Sequence, residues 1–158
     1  LSTPFVRSET TTPTLAQAIA GDFNADGLSD VMGLDGASSW VIQLATGALT
    51  GAVFSGTQTG ISASTISSPT TIDYDGDRRP DLAYVRANTL YLRRNIGGEF
   101  SSTEIAVTGL APDYLPANAS FPPMDGSVDT ADFDGDGRGD LLVHYQSPGA
   151  NSRWFAYT

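Results

Sequence analysis

The segment GDFNADGLSDVMGL, from Gly21 to Leu34, returns as IDYDGDRRPDLAYV from Ile72 to Val85 and as ADFDGDGRGDLLVH from Ala131 to His144. Each copy reads D-[FY]-[DN]-x-D-x-x-x-D and then turns apolar. The first aspartates, Asp22, Asp73 and Asp132, stand 51 and 59 residues apart. Such spacing suits one small supersecondary unit repeated along the chain.

Alternating carboxylates in a tight loop repel one another unless a cation sits among them. Calcium accepts six to eight oxygens at about 2.3–2.6 Å and tolerates irregular geometry. Side-chain oxygens at positions 1, 3, 5 and 9, with a backbone carbonyl at 7, can wrap one such ion. The first loop offers Asp22, Asn24, Asp26 and Asp30, with the carbonyl of Leu28. The second offers Asp73, Asp75, Asp77 and Asp81, with the carbonyl of Arg79. Asp132, Asp134, Asp136 and Asp140, with the carbonyl of Arg138, form the third. Eleven of the 18 acidic residues fall at these positions, and about three calcium ions would bring the formal charge from −10 to −4. Without a metal, the same segments would be three polar Asx-type turns.

The charge balance excludes some partners. All eight cations are arginine, 15 of the acids are aspartate, and nucleic acid is a poor match for such a polyanion. No apolar run approaches the roughly 18 residues of a membrane span, so no membrane insertion is expected. Cysteine is absent, which removes disulfides and thiolate metal sites. The opening LSTPFVRSETTTP has no basic start followed by an apolar block, as expected of a mature chain or an excised fragment.

Downstream of the loops lie SSWVIQL, NTLYLRR and SRWFAYT, short aromatic or β-branched runs that predict strands. Further on, GAVFSGTQTG and GGEFSSTEIAVTG align around Phe54 and Phe100, and STPFVRSETTT aligns with both around Phe5. No segment has a convincing helical period; TLAQAIAGDF comes nearest. Glycine and proline recur at short intervals, so the expected class is all-β. The repeats run over about 14–60, 61–110 and 124–158. Residues 1–13 are expected to form an outer strand completing the last unit, and 111–123 an insertion loop within the irregular stretch from Gly109 to Gly126.

An EF-hand would place a bidentate glutamate at position 12. Position 12 here is Gly33, Tyr84 or Val143, followed by strand-like residues, so an EF-hand is rejected. The loops resemble the FG-GAP, or VCBS, repeats of integrin α-subunits and many secreted bacterial and fungal proteins. That resemblance implies a β-propeller domain, or part of one, with three blades of four antiparallel strands. It also implies a calcium loop joining the first two strands of each blade. Asn24 and Arg78 depart from the family pattern, the latter at position 6, where Gly27 and Gly137 supply easy turn geometry. Propellers need about four to eight blades, so the three form part of a ring, or a homodimer completes six with exchanged Phe5 strands.

Other features have ordinary explanations. Arg138-Gly139-Asp140 matches an adhesion tripeptide, but Asp140 is already assigned to a loop. His144, the one histidine, has no cysteine or G-x-S-x-G segment beside it to build a nucleophilic triad, so no catalysis is expected. Trp40, Tyr91 and Trp154 recur at equivalent strand positions and are expected in the core between units. Arg78-Arg79 and Arg93-Arg94 are read as balancing local charge. Glu104 belongs to no loop, and its loss is expected to cost less than that of Asp134. Asn118-Ala119-Ser120 matches an N-glycosylation acceptor. The resemblance implies a secreted, non-catalytic calcium-binding module that recognises a glycan or an extracellular protein. The alternative is a scaffold or docking part of a larger secreted enzyme, toxin or adhesin.

Overall fold

A computed structural model of the chain describes residues 15–36, 39–48, 54–62, 66–86, 89–107, 128–145 and 153–158. The Phe5 segment, the Gly109–Gly126 stretch and the Asn118 acceptor pattern lie outside these residues. The described chain forms antiparallel strands and no helix. The first sheet runs in chain order through β1 (Ala16–Gly21), β2 (Asp30–Leu34), β3 (Ser39–Ala45) and β4 (Phe54–Ser62). The second runs through β5 (Ser67–Ile72), β6 (Asp81–Arg86), β7 (Thr89–Arg93) and β8 (Ile105–Ala106). The third contains β9 (Val128–Ala131), β10 (Asp140–Tyr145) and β11 (Arg153–Tyr157). Each acidic loop joins the first two strands of its sheet. TLAQAIAGDF supplies β1, a strand with a bulge between Ala16 and Ile19 that leaves Gln17 at φ +53°. A matching irregularity falls between Ser67 and Thr70 on β5. In both sheets the first strand is thereby kinked where it approaches its neighbour.

Two-residue periodicity on β6 explains how the sheets pack. Leu82 and Tyr84 point to the first sheet and join Phe23, Met32, Trp40, Ile42, Ile61, Ile66 and Phe100 in one core. Ala83 and Val85 point the other way and join Ile72, Leu90, Leu92 and Leu141 in another. A strand with both faces covered reads as a continuous apolar run, as DLAYVR does. Burying Leu82 fully contributes about 2 kcal/mol. Trp40 is 2% exposed, as expected of a core aromatic. Tyr91 is half-buried and stacks on Tyr84 at 5.8 Å. The backbone of Trp154 pairs with His144 between β10 and β11; their side chains lie outside the described set. The alignment of Phe54 with Phe100 holds, since Ala45 pairs with Phe54 and Asn95 with Phe100.

Small contacts between successive sheets fix the loops beside one another. Pro80 of the second loop sits against Gly21, where an added Cβ would stand 2.8 Å from its Cγ. Gly139 of the third loop donates its N–H to the Asp73 carbonyl at 2.6 Å, and an added Cβ would stand 2.6 Å from Ile72. Position 8 of each later loop therefore abuts the start of the loop before it. The Thr130 hydroxyl donates to the Thr71 carbonyl at 2.8 Å and ties β9 to β5.

Glu104 has a role that no repeat pattern announced. Its carboxylate accepts from both terminal nitrogens of Arg86, at 2.9 and 2.6 Å, from Arg93 at 2.6 Å, and from the Tyr84 hydroxyl. Arg86 also lies 4.4 Å from the centre of the Tyr91 ring. Hydrogen bonds from Arg86, then Tyr84 and Arg93, hold the Glu104 carboxyl down at about 2, against an ordinary 4.5. A carboxyl depressed by folding stabilises fully above its unfolded value, and that contribution disappears as pH falls through the folded one. Glu104→Gln is expected to cost about 2 kcal/mol at about pH 6 and less at about pH 3. Urea denaturation at the two values measures this; a deficit unchanged between them contradicts the assignment.

Candidate metal centres

All three acidic loops fold by the same local bonds, and the carboxylates make them. The side chain at position 3 accepts from the amide at position 5: Asn24 from Asp26, Asp75 from Asp77, Asp134 from Asp136. Position 5 in turn accepts from position 7, so the amides of Leu28, Arg79 and Arg138 bind Asp26, Asp77 and Asp136 at 2.8 to 2.9 Å. These are successive Asx turns. Position 1 reaches across to the amide at position 6: Asp22 to Gly27, Asp73 to Arg78, Asp132 to Gly137. The path needs left-handed backbone at positions 4 and 6. Glycine takes four of these six places; Ala25 at φ +60° and Arg78 at φ +68° hold the others.

Position 9 closes each loop onto the sheet. Asp30, Asp81 and Asp140 are 0%, 0% and 6% exposed, and each accepts from the amide at position 2, that of Phe23, Tyr74 or Phe133. Asp30 also accepts from Ala45 and Asp81 from Asn95, both at 2.7 Å. Burial pushes the Asp81 carboxyl up to about 6, with the charges of Asp75 and Asp77 adding to the effect and the amides of Asn95 and Tyr74 opposing it. Asp140, the acid of the adhesion-like tripeptide, is buried and engaged in the same way. It is not presented for a partner.

The loops differ in how their carboxylates gather. In the second, oxygens of Asp73, Asp75 and Asp81 lie within 4.8 Å of one another. In the third, Asp132, Asp134 and Asp136 do so, all three exposed. No such triad forms in the first loop, where the Asn24 amide donates to Asp26 at 2.9 Å. Arg79 pairs with Asp77 and Arg94 with Asp75, both at 2.5 Å, so the second loop carries its own countercharge. Among the described residues Asp73 Oδ1 is nevertheless buried with no hydrogen-bond partner, and Asp75 Oδ2 meets only the Arg94 guanidinium, as an ion pair. An unpartnered carboxylate oxygen beside two further carboxylates fits a hard cation, because all the donors are oxygen.

Asn95 joins the first two loops and went unnoticed in the sequence. It is fully buried. Its side-chain amide donates to the carbonyls of Phe23 and Pro80, at 2.8 and 3.1 Å. Its side-chain oxygen accepts from Gly97 and Gly98, and its own N–H binds Asp81. The equivalent residue of the first sheet is Ala45, so no repeated letter marks the position. The Asn-Ile-Gly-Gly run was a turn signal but no more.

A family model described as FG-GAP-like repeat matches residues 22–84 and 73–143, covering all three loops. Among curated proteins, none matches the chain at a significant level.

Proposed function

Because the chain belongs to the FG-GAP-like repeat family, we propose that it is a calcium-loaded recognition module acting outside the cell, with no catalysis of its own. The observation that carries this reading is the second loop, where Asp73 Oδ1 is buried without a partner among three gathered carboxylates. A divalent ion would satisfy that oxygen and offset the like charges gathered around it. The third loop gathers a second triad. The first shares its turn bonds, from the amides at positions 2, 5, 6 and 7, with Asn24 supplying a neutral oxygen. Asp22, Asn24, Asp26 and Asp30, with their counterparts in the other loops, are the proposed ligands, completed by the carbonyls of Leu28, Arg79 and Arg138. Calcium at extracellular, millimolar levels fills weak loops of this kind, which supports a secreted location.

The sheets are proposed as propeller blades. Successive β-sheets share cores through β6, and the ring would close with further blades, including those of a second copy. The ligand is proposed to be a glycan or an extracellular protein, and a glycan array separates the two. Calorimetric titration of chelator-stripped chain tests the metal reading. It is expected to give about three calcium ions per chain and no strong transition-metal binding, since the donors are hard oxygens. A stoichiometry of zero ends the reading.

A further inference from the structure

The loops border one cleft of about 340 Å³, walled by Asp22, Asp73 and Asp132 together with Arg78, Pro80 and Arg138. The three aspartates are the first residues of the three loops. Arg138 comes from the third loop and lies over the second, so that a Cβ added at Gly76 would stand 3.5 Å from its Cγ. Arg78 differs from the other described arginine side chains. Arg79, Arg86, Arg93, Arg94 and Arg138 each stand within 4.0 Å of a carboxylate oxygen, and among the described residues Arg78 stands near none. In a chain of net charge −10, an arginine without a carboxylate is conspicuous.

Its backbone adds a second, independent observation. Arg78 sits at φ +68°, where the other loops place Gly27 and Gly137. A side chain there costs about 1–2 kcal/mol, and its ion pairing returns nothing to the fold. Strain retained at the wall of a cleft points to work done in the cleft.

We propose that this cleft binds the carboxylate of an acidic sugar, through Arg78 and Arg138, once the loops hold their cations. Metal-free, the wall carries three carboxylates against two guanidiniums and repels an anion. A divalent ion in each loop offsets two of its three or four carboxylate charges, which weakens that repulsion and leaves the guanidiniums as the direct contacts for an anion. A guanidinium matches a carboxylate with two parallel hydrogen bonds, which a neutral sugar cannot accept in the same way. Pro80 offers an apolar surface for a ring, and the volume lies at the small end of ligand sites, suited to about one sugar residue. The inference rests on the calcium reading of the loops.

Calorimetry on the whole chain tests it, using D-glucuronate and its neutral counterpart D-glucose, with calcium binding measured on the same sample. In calcium, glucuronate is expected to bind at least about tenfold more tightly than glucose, and chelation is expected to abolish the difference. Arg78→Gly restores the residue the other loops use, so it should melt above the parent with unchanged calcium stoichiometry. Its glucuronate affinity should nevertheless fall about tenfold or more. Equal binding of the two sugars to calcium-loaded chain, or parental affinity in Arg78→Gly, overturns the assignment and leaves the calcium reading standing. Glucuronate binding that survives chelation overturns the dependence on cations, and a chain that binds no calcium overturns both readings.

Discussion

Chelating calcium is expected to lower the melting temperature by about 10 °C. A weak site held at about ten times its dissociation constant contributes about 1.4 kcal/mol, and three such sites about 4 kcal/mol. For a chain of this size each kcal/mol corresponds to about 2–4 °C. The structure explains why the loss should be large. Removing the ion leaves Asp73 Oδ1 buried without a partner and Asp81 buried among Asp75 and Asp77. Differential scanning calorimetry in millimolar calcium, and again with excess chelator, reads the shift. Two superimposable traces would refute a structural role for the cation.

Asn95→Ala should cost as much as emptying a large core position, at about 4 kcal/mol and about 10 °C. Truncation removes two donors and one shared acceptor, and it strands the carbonyls of Phe23 and Pro80 and the amides of Gly97 and Gly98. Most of that penalty is desolvation without return, since the residue is fully buried. Asn95→Asp keeps the acceptor but sets a buried carboxylate oxygen against the two carbonyls, so it should cost at least as much as alanine. A loss below about 1 kcal/mol for alanine would mean that water replaces the bridge and that Asn95 does not hold the first two loops together.

Repetition made much of this legible beforehand. The three loops, the strands after them and the pairing of Phe54 with Phe100 could all be read from recurring letters, because each unit solves the same packing problem. The features that were missed are those that occur once. Asn95 has Ala45 as its counterpart, so its bridge has no copy to reveal it. Glu104 looked like a carboxylate without duties, a suitable control for Asp134. The structure corrects this: Glu104 holds Arg86, Arg93 and Tyr84, and its loss strands two guanidiniums, so the expected ordering against Asp134 loses its basis. The position-9 aspartates read as ligands in the sequence; that they also close onto the amides of Phe23, Tyr74 and Phe133 is a matter of loop geometry that no residue type announces. Left-handed backbone at Ala25 was also hidden, because alanine gives no sign of positive φ.

Strand β6 has a consequence for how such a chain can grow or shrink. Its odd and even residues belong to two different cores, so no cut between loops releases an intact body. Excising the middle sheet would destroy two interfaces and leave both neighbours with a bare apolar wall. The unit that duplication can copy is therefore one sheet together with one seam. A gene encoding this fold can change length only in steps that carry both, and a truncation ending inside a step would yield an aggregating product instead of a smaller domain.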